Sequence, residues 1–222
     1  MSSNTSAEFV LYGYFRSSAA FRVRIALNLK GIKPELRFVH LRKDGGQQNT
    51  AEYLALNPQG LIPMLVHNGA TIGQSLAIIE YLDEVVPEPP LLPRDPAGRA
   101  RVRQLADAVA CDIHPVNNLR VLNYLRDEMG ASDEDRTKWQ RRWIMQGFSA
   151  METWLSSSPQ TSRFCHGDQP TMADIFLIPQ MTNARRVQID LEAYPTLLRI
   201  EKAAFDLSAF VDAQPQMQPD AE

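Results

Sequence analysis

Leu61-Ile62-Pro63-Met64-Leu65-Val66-His67-Asn68-Gly69-Ala70-Thr71-Ile72-Gly73-Gln74-Ser75 decides the fold. Asn-Gly is a strong hairpin signal, because a two-residue I′ turn needs positive φ at both positions. Apolar residues 63–66 and 70–72 flank it, so two antiparallel strands are expected. Ser75 then opens a helix whose apolar face carries Leu76, Ile79, Leu82 and Val86. Upstream, Phe9-Val10-Leu11-Tyr12 reads as a buried strand ending at Gly13, and Ser17 or Ser18 caps the helix that follows. Phe21, Ile25 and Leu29 recur every four residues along that helix, and Gly31 and Pro34 end it. Residues 36–41 read as a second strand, Gly45-Gly46 as a break, and residues 51–56 as a short helix. The order is βαβαββα. A βαβ unit favours parallel pairing and the hairpin demands antiparallel pairing, so the sheet is expected to be mixed.

Downstream, Val86-Pro87-Glu88-Pro89-Pro90 cannot continue a helix and reads as a linker. Everything after Pro96 reads as helical. Two domains are therefore expected, an α/β domain over residues 9–86 and an all-α domain over residues 96–213. Trp139, Trp143, Gly147, Ala150 and Trp154 trace one helix stripe, read as core packing. The tail from Gln214 holds two prolines and few apolar groups and is expected to be mobile. A net charge of −3 gives no reason to expect nucleic acid or an anionic membrane as partner. No apolar run is long enough to span a bilayer, and residues 1–8 show no basic and apolar leader, so no signal peptide is expected. Cys111 and Cys165 have neither redox-motif nor metal-ligand spacing, which fits a reducing cytoplasm and no metal.

Tyr14-Phe15-Arg16-Ser17-Ser18, followed by Arg22-Val23-Arg24-Ile25-Ala26-Leu27, resembles the start of the zeta-class glutathione transferases, the maleylacetoacetate isomerases. The resemblance continues through Ala55-Leu56-Asn57-Pro58, Ile62-Pro63 and Gln74-Ser75-Leu76-Ala77-Ile78-Ile79-Glu80-Tyr81-Leu82. In the second half it covers Cys111-Asp112-Ile113-His114-Pro115, Asn117-Asn118, Thr171-Met172-Ala173-Asp174 and Asn183-Ala184-Arg185-Arg186. One departure is Ala19, where the best-known signature has cysteine, so any sulfur in the site must come from glutathione. The resemblance implies a thioredoxin-like N-terminal domain with a C-terminal helical domain and a homodimer. It implies a glutathione-dependent cis–trans isomerisation of maleylacetoacetate to fumarylacetoacetate in tyrosine and phenylalanine catabolism. Alternatives are maleylpyruvate isomerisation, general glutathione transfer or dehalogenation of α-halo acids, and a non-catalytic interaction module on the same fold.

The implied chemistry is reversible addition of a thiolate to a conjugated cis double bond. A free thiol titrates at about 8.5, so the site must favour the thiolate. A hydroxyl at a helix N-terminus does this, because the N–H groups and the dipole both favour negative charge. The resemblance makes Ser17 the main stabiliser and Ser18 its assistant. Gln74 and Ser75, opening a helix after a strand, suit the γ-glutamyl carboxylate, and Ile62, before a cis-proline turn, suits the cysteinyl part of glutathione. Gln48, His114 and Asn118 match further glutathione contacts of the family. A dianionic substrate needs cations: Arg16 adjoins the serines, Arg186 matches the family's substrate arginine, and Arg120 is read as sharing a helix face with Asn117. Arg22 and Arg185 are read as solvated surface groups. Thr171 and Asp174 form a structural capping box.

Overall fold

The computed structural model describes residues 9–222; the signal-peptide reading of residues 1–8 lies outside them. The described chain forms two compact units, one running up to Pro90 and completed by Ser208–Glu222, the other Leu91–Leu207.

The first unit holds β1 (Val10–Gly13), α1 (Ser18–Leu29), β2 (Glu35–Phe38), α2 (Ala51–Leu56), β3 (Met64–His67), β4 (Ala70–Gly73) and α3 (Ser75–Val85). Its sheet has the order β2-β1-β3-β4. β1 pairs in parallel with β2, and the other two pairings are antiparallel. The mixed thioredoxin-like sheet expected from the sequence is present. Asn68 and Gly69 turn the hairpin with φ of 50° and 77°. β2 is shorter than the expected 36–41. Val39 still bonds Gly13, but the His40 ring then accepts the N–H groups of Arg42 and Lys43 and bends the chain away. Leu11, Phe21, Ile25, Leu65, Ile78, Ile79 and Leu82 are buried between helix and sheet. Burying each such side chain contributes about 1.5–3 kcal/mol. The face of α3 runs through Ser75, Ile78, Ile79 and Leu82, with Leu76 and Val86 only half-buried. The helix begins with Ser75 itself packed inward, which rotates the apolar stripe by one position.

The segment from Gln214 is not a loose tail. Ala213 and Pro215 are buried, and residues 215–217 form a turn of 3-10 helix. Gln218 folds back to donate to the carbonyls of Asp212 and Gln214. Backbone and side-chain polar contacts do the work that apolar residues would normally do.

The second unit is helical: α4 (Pro96–Asp107), α5 (Leu119–Asp127), α6 (Asp133–Ser156), α7 (Met172–Arg186) and α8 (Pro195–Phe205). The short helix α9 (Ser208–Val211) already belongs to the first unit. Residues 172–181 of α7 are all buried, so α7 is the central helix of the second unit. On α6 the core stripe is Ile144, Phe148, Met151 and Leu155, not the tryptophan row. Trp139 and Trp143 are half-buried and Trp154 is 40% exposed. Trp139 donates its indole N–H to the Val116 carbonyl at 2.8 Å, whereas the Trp143 indole nitrogen is buried with no partner among the described residues. Gly147 admits Ile113; a Cβ there would lie 2.2 Å from the Ile113 Cδ1.

The capping box at α7 is a buried carboxylate with three donors. Asp174 accepts from the N–H groups of Cys165 and Thr171, both at 2.8 Å, and from the Thr171 hydroxyl at 2.9 Å. Burial pushes its carboxyl pKa up, and the donated bonds pull it back down. Asp174→Ala strands these donors inside the protein, so denaturant unfolding of the full chain is expected to show a stability loss of about 3 kcal/mol.

Candidate active site

Strand pairing brings four loops to one end of the sheet. Gly13, the last residue of β1, lies opposite Phe38, the last of β2. Tyr12 lies opposite Met64, the first of β3, and Met64 lies opposite Gly73, the last of β4. The loop 14–17, the segment 39–48, the Ile62-Pro63 turn and the entry to α3 therefore all leave the sheet at the same end. Arg16, Ser17, Ser18, Gln48, Ile62, Gln74 and Ser75, seven of the expected site residues, sit on these loops or, for Ser18 and Ser75, on the first residue of the helix that follows.

Ser17 is the N-cap of α1, and its Oγ accepts the Ala20 N–H at 3.1 Å. That bond uses the oxygen as acceptor and leaves the hydroxyl proton able to donate outward. Ser18 is the buried first residue of the helix, and Arg16 is exposed just before the cap. Capping and thiolate stabilisation are compatible at Ser17, since both draw on the same helix terminus.

Gln74 is the N-cap of α3, with φ 66° and ψ 118°. A non-glycine residue in this region costs about 1–3 kcal/mol and persists where its surroundings dictate it. Its side chain donates to the Gln59 Oε1 at 2.9 Å. The N–H groups of Ser75, Leu76 and Ala77 precede the first intrahelical bond, from Ile78 to the Gln74 carbonyl. A helix terminus of this kind suits an anion. Behind it lies Arg22, 1% exposed, whose Nη1 donates to the Ser75 Oγ at 3.3 Å. Burial pushes the guanidinium pKa down to about 9. Arg22 is thus an interior residue that donates to the Ser75 hydroxyl, not the surface group expected. Its position within the buried row of α1 was the available signal.

The Ile62-Pro63 peptide is cis. The preceding carbonyl, Leu61, is held by the Tyr53 hydroxyl at 2.8 Å and the Asn57 amide at 2.7 Å. Burial pushes the Tyr53 pKa up to about 12, so it remains a donor. Neither residue was anticipated as a support for the site. Neither backbone polar group of Ile62 has a hydrogen-bond partner among the described residues. Gln48 folds over Gly46, whose φ of 96° disfavours any side chain there. The Gln48 Oε1 is buried with no partner among the described residues.

The remaining expected residues belong to the second unit. Asn118 caps α5, its Oδ1 accepting the Arg120 N–H at 3.1 Å, and His114 closes the π-helical turn before it. Arg120 is exposed in the first turn of α5. Asn117 lies in the separate 3-10 turn 115–117, so the two do not share a helix face; the extended cap at Asn118 breaks the helix between them. Arg186 ends α7, with its Nη1 donating to the Asn183 Oδ1 at 3.2 Å. Arg185 is the half-exposed surface group expected, but its guanidinium is committed to a two-pronged pair with buried Glu201 of α8.

The profile of the glutathione S-transferase N-terminal domain matches residues 16–85. The chain is 48% identical over 212 residues to a probable maleylacetoacetate isomerase of Vibrio cholerae, covering 96% of this chain and 98% of that protein. It superposes on a maleylpyruvate isomerase, a bacterial zeta-class glutathione S-transferase, with a TM-score of 0.93 and 46% identity, covering 96% of this chain and 100% of that one. It superposes on a maleylacetoacetate isomerase from Methylobacterium extorquens with bound malonate and GSH, with a TM-score of 0.92 and 43% identity, covering 96% and 99%.

The adjacent arginines of α7 separate by experiment. Arg185→Ala leaves Glu201 buried and uncompensated, so a stability loss of about 2 kcal/mol is expected, below the full cost of a buried pair because the arginine is half-exposed. Arg186→Ala is expected to change stability by less than about 0.5 kcal/mol. Denaturant midpoints of both variants check this.

Proposed function

We infer the reaction from one premise: this chain belongs to the zeta-class glutathione transferases, the family of the maleylacetoacetate and maleylpyruvate isomerases. It is a glutathione-dependent cis–trans isomerase that converts maleylacetoacetate to fumarylacetoacetate. The observation that carries this reading is the convergence of the Ser17 cap, the Ile62 backbone and the α3 N-terminus on one end of the sheet.

Those groups fit glutathione. The open N–H and C=O of Ile62 suit a peptide backbone. The α3 terminus with Ser75 suits a carboxylate. The unpartnered Gln48 Oε1 suits an N–H donor. When bound, glutathione supplies a thiolate able to add to the cis double bond and leave again after rotation about the single bond so formed. Ser17 holds the negative charge by donating its hydroxyl, with Ser18 and the α1 terminus assisting. Arg16 and Arg186 bring positive charge to the carboxylates of the substrate, with Arg120 as a further candidate. His114 and Asn118 are assigned to glutathione. The guanidinium fork of an arginine matches a carboxylate with two parallel bonds.

Maleylpyruvate is the second reading, favoured by the superposition on a maleylpyruvate isomerase. Both acids carry the same reactive unit. We place the enzyme in aromatic amino-acid breakdown, as a homodimer in the cytoplasm. Among the described residues both cysteines are unpaired thiols, which supports a reducing compartment, and no helix is long and apolar enough to cross a membrane.

Following the absorbance of both cis acids with and without glutathione tests the reading. Turnover is expected only with glutathione, and faster with maleylacetoacetate; no turnover of either acid sinks the assignment. Ser17→Ala is expected to lower turnover roughly ten- to thousandfold, as loss of one preorganised donor to an anion does. Glutathione affinity should fall less, because the peptide ends are held by other residues. Arg186→Ala is expected to raise the KM for the diacid strongly while sparing a neutral electrophile such as a halogenated nitrobenzene. Arg186→Lys should recover part of the loss, since a point charge replaces the planar fork. Equal losses on charged and neutral substrates would remove Arg186 from the substrate site.

A further inference from the structure

We propose that Asp220 is a positioning residue for the loop that carries Arg16 and Ser17, and that residues 213–222 form a strap holding that loop in its working geometry. The inference rests on the reading of Ser17 as the thiolate donor.

Phe15 is clamped from both sides. Its N–H donates to the Asp220 Oδ2 at 2.9 Å, and its C=O accepts from the Arg24 Nη2 at 3.2 Å. The same guanidinium reaches the Tyr14 carbonyl with Nη1 at 3.5 Å and the Ala213 carbonyl, where the strap begins, with Nε at 2.9 Å. The Tyr14 carbonyl also accepts the Ser17 N–H at 3.0 Å. The three backbone polar groups that precede Arg16 are thus held by one buried arginine, one carboxylate and the turn itself. Arg24 is almost wholly buried. Burial lowers its pKa to about 10, and the negative charge of Asp220 opposes that shift. The bond to the Phe15 N–H is the contact by which Asp220 orders the loop; its charge is only a minor aid to the buried Arg24.

The strap also reaches the second loop of the site. Glu222 pairs with Lys43 and lies 3.3 Å from the His40 Nε2. His40 in turn packs edge-on against Tyr14, and its own N–H donates to the Gln47 Oε1 at 2.8 Å, one residue before Gln48. Asp220 is the contact closest to the chemistry. Its partner lies two residues before Ser17, and a rotation at Phe15 is transmitted through Arg16 to the hydroxyl. A misplacement of about 1 Å costs on the order of a hundredfold in rate. A tail that merely covered apolar surface would need no carboxylate on a loop amide.

The test uses the full chain as parent, Asp220→Ala and Asp220→Asn; the amide of asparagine keeps an acceptor for the Phe15 N–H. Hydrogen exchange is read at residues 15–17, glutathione affinity by calorimetry, and turnover with maleylacetoacetate well below the unfolding midpoint. In Asp220→Ala, exchange at residues 15–17 is expected to rise at least about tenfold and kcat to fall roughly ten- to hundredfold, with glutathione affinity within about threefold of the parent. Asp220→Asn is expected to stay within about threefold of the parent on every measure. Parent-like exchange in Asp220→Ala overturns the inference, and so does faster exchange with parent-like kcat. Asp220→Asn as impaired as Asp220→Ala overturns the assignment to the Phe15 bond. A parent with no glutathione-dependent turnover fails the reading of the reaction instead, while the exchange measurement still decides whether Asp220 orders the loop.

Discussion

The register set by the Asn68-Gly69 turn is the constraint on which the candidate site depends. Two residues with positive φ bring β4 back along β3 so that Gly73 meets Met64, and Met64 meets Tyr12 on β1. A slip of one residue would turn Leu65 and its neighbours to the opposite face. It would also move Gln74 and Ser75 away from the turn at Ile62. Burial of Leu65 and Leu11 therefore also fixes where the Ile62 turn and the α3 entry meet.

Two buried arginines on α1 then support that end of the unit. Arg22 stands behind Ser75 and Arg24 behind Tyr14 and Phe15. Burying a guanidinium is costly, and both pKa values fall because of it, to about 9 and about 10. The cost is offset where the charged N–H groups meet oxygen acceptors that would otherwise need water. α1 thus serves as a helix whose N-terminus lies at the candidate site and whose buried cations hold the neighbouring loops.

The second unit follows the same logic with opposite charge. Asp174 is an interior carboxylate that collects donors from two segments at the start of α7, and Glu201 is a nearly buried carboxylate that takes the fork of Arg185. With Arg185 bound to the adjacent helix, Arg186 is the one of the pair proposed for substrate. Adjacent identical residues acquire different roles because a helix points them about 100° apart.

The sequence by itself determined what short-range patterns encode. The hairpin, the capping serine, the order of strands and helices and the α7 capping box are local, since each depends on residues within a few positions of one another. Ser17, Ile62, Gln74 and Ser75 could be singled out for that reason, with the family resemblance supplying their roles. Only the tertiary structure decided the rest. Arg22 read as a surface group because a charge in a helix is usually solvated, yet its partner Ser75 lies 53 positions away. The segment from Gln214 read as mobile because it holds two prolines and few apolar groups, yet Asp220 finds the Phe15 amide across 205 positions of chain. The tryptophan stripe of α6 gave way to its neighbour, Ile144, Phe148, Met151 and Leu155, and the acceptor that Trp139 finds is a carbonyl outside the helix. A buried polar group depends on what the fold brings to it, and no local pattern records where that partner is.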